Sequence, residues 1–295
     1  MSQFLNREAP CPDVAEESDP GDGMERETAP SGPCSPGMED NPLLIVEDVG
    51  KSFNGTPACR DISFMLWPGE VLAIVGESGS GKTTLLRCLS AGIPADTGRT
   101  TYSSPRCGEV EVFTSPEHVL RRLHRTEWGL VHQNPRDGLR LGVSAGANIG
   151  ERLMSLGQRN YAAIRDEALT WLNKVEIKPD RIDDLPLHFS GGMQQRLQIA
   201  RNLVTRPRLM FMDEPTGGLD VSVQARLLDL LRSLCSELHL AVILVTHDLG
   251  VARLLADRLL VMQCGRVVES GLTDQVLDDP HHPYTQLLVA SILEA

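Results

Sequence analysis

Apolar residues along this chain fall into two rhythms. Solid runs such as Val71-Leu72-Ala73-Ile74-Val75, Leu209-Met210-Phe211-Met212 and Ala241-Val242-Ile243-Leu244-Val245 read as strands buried on both faces. Residues 148–156, 161–175, 193–203, 223–238 and 249–256 instead carry apolar positions at helical spacing. Alternating strands and helices predict an α/β fold on a parallel sheet. Two earlier strands, 43–49 and 62–66, flank a turn-rich stretch at 54–57 and predict an N-terminal antiparallel β portion. Residues 93–117, rich in Gly, Pro, Thr and Ser, read as irregular, and 128–132 as the end of a strand. Residues 134–187 read as mostly helical. Residues 259–262 and 266–270 suggest a hairpin around Cys264-Gly265, and the chain from 273 onward is helical with a break at 278–283.

The first 41 residues break both rhythms. They are acidic, rich in Pro, Gly, Ser and Glu, and nearly free of aliphatic residues after Leu5. Such a segment buries too little apolar surface to offset its ordering entropy and reads as a disordered acidic tail. The expected division is therefore 1–41 as tail and 42–295 as one domain, with a helical subdomain at about 134–190. The net charge of −12 offers no basic excess to displace counterions, which argues against a nucleic-acid partner. No apolar run approaches the roughly 20 residues needed to span a bilayer, and no secretory signal is visible, so a cytoplasmic protein is expected. The 7 cysteines are scattered, without a CxxC pair, and read as free thiols.

The chemistry begins after the first solid apolar run. Gly76-Glu77-Ser78-Gly79-Ser80-Gly81-Lys82-Thr83 matches GxxxxGK[ST] between a strand and a helix. Glycines are needed where the loop turns closely around a phosphate. The amides of this loop would then point inward at the N-terminus of the following helix. Lys82 would reach the β- and γ-phosphates and the Thr83 hydroxyl would meet Mg2+, with Thr84 completing the nucleotide contacts. The strand ending in Asp213-Glu214 brings two carboxylates to the sheet edge beside this loop. Asp213 would hold the Mg2+ shell and Glu214 would act as general base on water. Phe189-Ser190-Gly191-Gly192-Met193, just before a helix, makes a second anion-binding device, one more than a single nucleotide needs.

The second device resembles the signature motif of the ABC ATPase family, here FSGGM. The resemblance covers the chain from about residue 43 and implies a P-loop NTPase of the ABC type that hydrolyses ATP. It further implies that Ser190, Gly191 and Gly192 of one subunit close over ATP held by another in a head-to-tail dimer. Gln133 resembles the Q-loop glutamine near Mg2+ and the attacking water, His247 the switch histidine at the γ-phosphate, and Asp220 the D-loop aspartate. Phe53 sits where the family stacks an aromatic on adenine, although an aromatic beside a strand also reads as core. Met193 and Gly217-Gly218 depart from the family's common residues.

Segments around and beyond these stations, among them 132–140, 143–152, 181–186 and 212–226, resemble the ATP-binding subunits of the bacterial phosphonate carbon–phosphorus lyase system. That implies docking on lyase core subunits, as a homodimer or with a second ABC ATPase. Asp279-Pro280-His281-His282-Pro283-Tyr284-Thr285-Gln286-Leu287-Leu288 also resembles importer ATPases for peptides or nickel. That leaves open the alternative of an importer subunit docked on a permease. A DNA-repair or translation ABC protein fits less well, because no long insertion or second cassette is present.

Overall fold

The computed structural model describes residues 41–293, with side chains through 291. The expected acidic tail therefore lies, except for Asn41, outside the described residues. In chain order the strands are β1 (Leu44–Phe53), β2 (Thr56–Leu66), β3 (Val71–Val75), β4 (Thr97–Ser104), β5 (Gly108–Glu111), β6 (Trp128–Val131), β7 (Leu209–Asp213), β8 (Ala241–Thr246), β9 (Arg258–Gln263) and β10 (Arg266–Leu272). The helices are α1 (Lys82–Leu89), α2 (Glu117–Thr126), α3 (Pro135–Gly138), α4 (Ala145–Ser155), α5 (Tyr161–Lys174), α6 (Gly191–Leu203), α7 (Val221–Leu238), α8 (Leu249–Leu255), α9 (Thr273–Asp278) and α10 (Pro283–Leu293).

Two sheets result. The larger runs β10-β9-β3-β8-β7-β6, parallel throughout except for the antiparallel β10 edge. The smaller is antiparallel, ordered β2-β1-β4-β5. Alternate residues of the parallel strands serve two cores, because successive side chains point to opposite faces. Ala73, Val75, Met212, Leu244 and Val261 join the apolar cluster that includes α4 to α9. Leu72, Ile74, Phe211, Ile243 and Val245 join the cluster formed with α1 and the small sheet. Burial on both faces is why these strands are solid apolar runs.

Residues 93–117 are not irregular: they contain β4, β5 and the start of α2. The polar face of β4 hid it, since only Thr100, Tyr102 and Ser104 turn inward. Cys59, Cys88, Cys107 and Cys235 are free thiols. Cys264, exposed in the turn between β9 and β10, departs from that expectation and is disulfide-bonded. Among the described residues no helix is long and apolar enough to cross a membrane.

Candidate active site

Strand register assembles the site. Val75 of β3 pairs with Thr246 of β8, and Val245 of β8 pairs with Asp213 of β7. The residues that follow each strand, Gly76, His247 and Glu214, therefore emerge together at one edge. This carboxyl edge is where open parallel sheets bind ligands. Val131 of β6 pairs with Met212, so Gln133 emerges two residues later beside them.

The loop from Gly76 to α1 adopts left-handed backbone at Gly79 (φ 84°) and Gly81 (φ 99°). A Cβ at Gly81 would stand 2.0 Å from the Ala58 carbonyl oxygen, so only glycine fits there. Gly81 also caps α1, turning the first amides of that helix into the loop. Lys82 is 5% exposed, and its ammonium donates to the carbonyl oxygens of Gly76 at 2.8 Å and Glu77 at 2.7 Å. Burial pulls its pKa down, against the opposing charges of Glu214, Asp213 and Glu77. The Glu77 amide in turn donates to the phenol oxygen of Tyr284 at 2.9 Å.

Thr83 Oγ1 donates to Asp213 Oδ1 at 3.0 Å. Burial pushes the Asp213 carboxyl up, and the neighbouring Glu214 charge adds to it. Two hard oxygen donors, one of them a carboxylate penalised by burial, fit a Mg2+ shell. Among the described residues no group of three or more His, Cys, Asp or Glu side chains could hold a metal. An ion here would therefore need phosphate and water as further ligands.

Glu214 is bracketed. Gln133 Nε2 donates to its Oε2 at 2.9 Å, and His247 Nδ1 lies 2.8 Å from its Oε1. A carboxylate oxygen accepts, so Nδ1 is the donor and Nε2 of His247 is left for another partner. Glu214 holds φ at 43°, an uncommon setting for a non-glycine residue that recurs at functional sites. This arrangement can orient a water molecule on a carboxylate next to a phosphate loop.

The remaining sequence candidates stand apart from this cluster. Phe53 ends β1 with its ring half exposed and Lys51 Nζ 5.6 Å from the ring centroid. Ser190 caps α6, its hydroxyl accepting from the Met193 amide at 3.3 Å. Gly191 is exposed with only Leu219 near its Cβ position, whereas a Cβ at Gly192 would meet Val223 at 2.5 Å. Asp220 caps α7 through its backbone and is exposed. A cavity of about 250 Å³ separates Asn134-Pro135-Arg136 from Gly191 and Gly217-Gly218.

Sequence reading missed residues that hold these stations in place. Arg181 lies 4.5 Å from the Phe189 ring centroid and donates to the His188 carbonyl oxygen at 3.1 Å. Its Nη1 also reaches the Met193 sulfur at 3.6 Å, so the residue that departs from the family pattern has a partner. On α6, Gln198 Oε1 accepts from the His132 amide at 2.6 Å, and Asn202 exchanges hydrogen bonds with Leu130. Side-chain amides thus complete the open ladder of the edge strand β6. Three amides spaced along one buried helix face, Gln195, Gln198 and Asn202, were the available signal.

A second concavity, about 540 Å³, lies away from this site. Arg106, His118, Arg121, Arg122 and Arg125 line it.

Comparison with known proteins agrees with this geometry. The ABC transporter family profile matches residues 59–217. The chain is 65% identical over 255 residues to the phosphonates utilization ATP-binding protein PhnK of Escherichia coli K12, covering 86% of this chain and 99% of that protein. It is 37% identical over 256 residues to the oligopeptide transport ATP-binding protein OppD of Bacillus subtilis, covering 85% of this chain and 72% of that protein. Among solved structures, the dimeric post-hydrolysis state of the ATP-binding cassette MJ0796 bound to ADP and Pi matches with TM-score 0.70 and 26% identity. That match covers 78% of this chain and 99% of that one. CbiO1 of Clostridium perfringens matches with TM-score 0.71 and 26% identity, covering 81% and 92%.

Proposed function

Because this chain belongs to the ABC transporter family and is an ATPase of that family, we propose that it hydrolyses Mg-ATP as a head-to-tail dimer serving phosphonate breakdown. The bracketing of Glu214 by Gln133 and His247 carries the catalytic part of this reading. Residues 76–84 cradle the triphosphate, and Lys82 leaves its carbonyl partners for the β- and γ-oxygens. Glu214 takes a proton from the attacking water that Gln133 helps to orient. His247 turns its free ring nitrogen to the γ-phosphate. Mg2+, held by Thr83 and Asp213 with Gln133 close by, would neutralise charge on the phosphate oxygens. Phe53 offers its exposed ring to the adenine.

A mismatch within one chain supports the dimer. Ser190 and Gly191 are exposed at the N-terminus of α6 with Gly192 buried behind them, yet among the described residues none of the three hydrogen-bonds to the phosphate loop. A sister chain turned head to tail would set them over the nucleotide, with Asp220 at the seam. The neighbour MJ0796 is itself a dimer bound to ADP and Pi. A homodimer and a pair with a second ABC ATPase both satisfy this geometry. Residues 134–190 act as the helical arm in this reading, within a domain spanning 42–295.

Phosphonate coupling rests on the match to PhnK across 99% of its length. The partner in this reading is the core of the carbon–phosphorus lyase, in the cytoplasm. The arginine-lined concavity supplies a docking face. On a chain of net charge −12, four arginines and a histidine around one hollow suit an acidic surface of a partner protein. Affinity purification of tagged protein from phosphonate-grown cells tests the reading. Lyase subunits should co-purify, and Arg121→Glu with Arg125→Glu should lose them while ATPase activity stays. Recovery of an integral membrane permease instead would favour the importer reading, which the 37% identity to OppD keeps in view.

A further inference from the structure

We propose that Tyr284 is a positioning residue of the phosphate loop, and that Glu269 locks the C-terminal segment that carries it. The inference rests on the phosphate-loop reading and names a residue that no station of that reading includes.

Tyr284 is 6% exposed and belongs to the apolar cluster beneath the parallel sheet, yet its phenol oxygen is aimed at the loop. It accepts the Glu77 amide at 2.9 Å across a sequence separation of 207 residues. The same Glu77 offers its carbonyl oxygen to the Lys82 ammonium at 2.7 Å. Both peptide groups flanking the Glu77 Cα are thus fixed, one by the phenol and one by the lysine. The loop leaves β3 at this point, so the direction it takes around a phosphate is set here.

The phenol is held by a chain of specific bonds. Glu269 on β10 accepts the amides of His281 at 2.9 Å and His282 at 3.0 Å, one on each carboxylate oxygen. His282 Nδ1 then accepts the Tyr284 amide at 3.2 Å. The segment Pro280-His281-His282-Pro283 therefore enters α10 in one conformation, with the ring seated in the core. Prolines at 280 and 283 lower the freedom of this connection further.

Without the phenol oxygen the Glu77 amide loses its acceptor and the start of the loop gains freedom. Nucleotide binding must then order it. The cost falls on affinity, while Glu214 and its bracket are untouched. A ring that served packing alone would tolerate loss of its oxygen, so the conservative variant separates the two roles.

The test is a titration of full-length protein with a fluorescent Mg-ATP analogue, with steady-state ATPase kinetics alongside. Tyr284→Phe should weaken binding and raise KM about fivefold, with kcat changed less than about twofold. Glu269→Gln should shift affinity in the same direction by less. Leu287→Ala, on the outer face of the same helix and 71% exposed, should leave binding unchanged. Wild-type affinity in Tyr284→Phe, with Lys82→Ala weakened, overturns this inference alone. Equal weakening by Leu287→Ala also overturns it, because helix docking and not the hydroxyl would then set affinity. Wild-type affinity in Lys82→Ala overturns the phosphate-loop reading itself.

Discussion

Glu214 is the residue on which most geometry converges. Its backbone sits at a left-handed φ, its amide donates to Val245, and both carboxylate oxygens are engaged. Glu214→Gln keeps the shape and removes the proposed base. ATP turnover should fall by about 100-fold or more while nucleotide affinity stays within about twofold, as read by phosphate release and by titration. Lys82 makes the opposite prediction. Its ammonium is buried in the loop, so Lys82→Ala should weaken ATP binding by about 1.5–3 kcal/mol in calorimetry. Both residues were legible in the sequence, because GxxxxGKT and an acidic pair after an apolar run are local patterns. Tyr284 was not, since nothing local says that its oxygen meets an amide 207 residues away.

At the scale of elements, α6 links two stations of the site. Ser190 caps its start, and two turns on, Gln198 holds the backbone of His132, the residue before Gln133. Gln198 is fully buried, so Gln198→Leu would leave the His132 amide without its acceptor. Chemical unfolding should show a loss of about 1–3 kcal/mol, and kcat should fall while ATP affinity is kept. The solid strands β3, β7 and β8 and the helices α4 to α7 were readable because burial on both faces, or along one stripe, leaves a period in the sequence. β4 and β5 were not, because Thr, Ser and Arg in β4 and Gly and Glu in β5 resemble a loop in composition. Strand order β10-β9-β3-β8-β7-β6 has no local signature either.

For the whole molecule, the proposed nucleotide site divides between two places in the chain. The phosphate loop, Glu214 and His247 share the edge of one sheet, and the Ser190 helix start opens outward beside the 250 Å³ cavity. That separation is the reason a second chain is proposed, and in that reading self-association depends on nucleotide. The central claim is therefore tested most directly by sedimentation of the Glu214→Gln protein with and without Mg-ATP, beside a Glu214→Gln, Ser190→Arg double variant. The account predicts monomer without nucleotide, dimer with it, and monomer under both conditions in the double variant. A Glu214→Gln chain that stays monomeric at saturating Mg-ATP, or a dimer indifferent to Ser190→Arg, would contradict it.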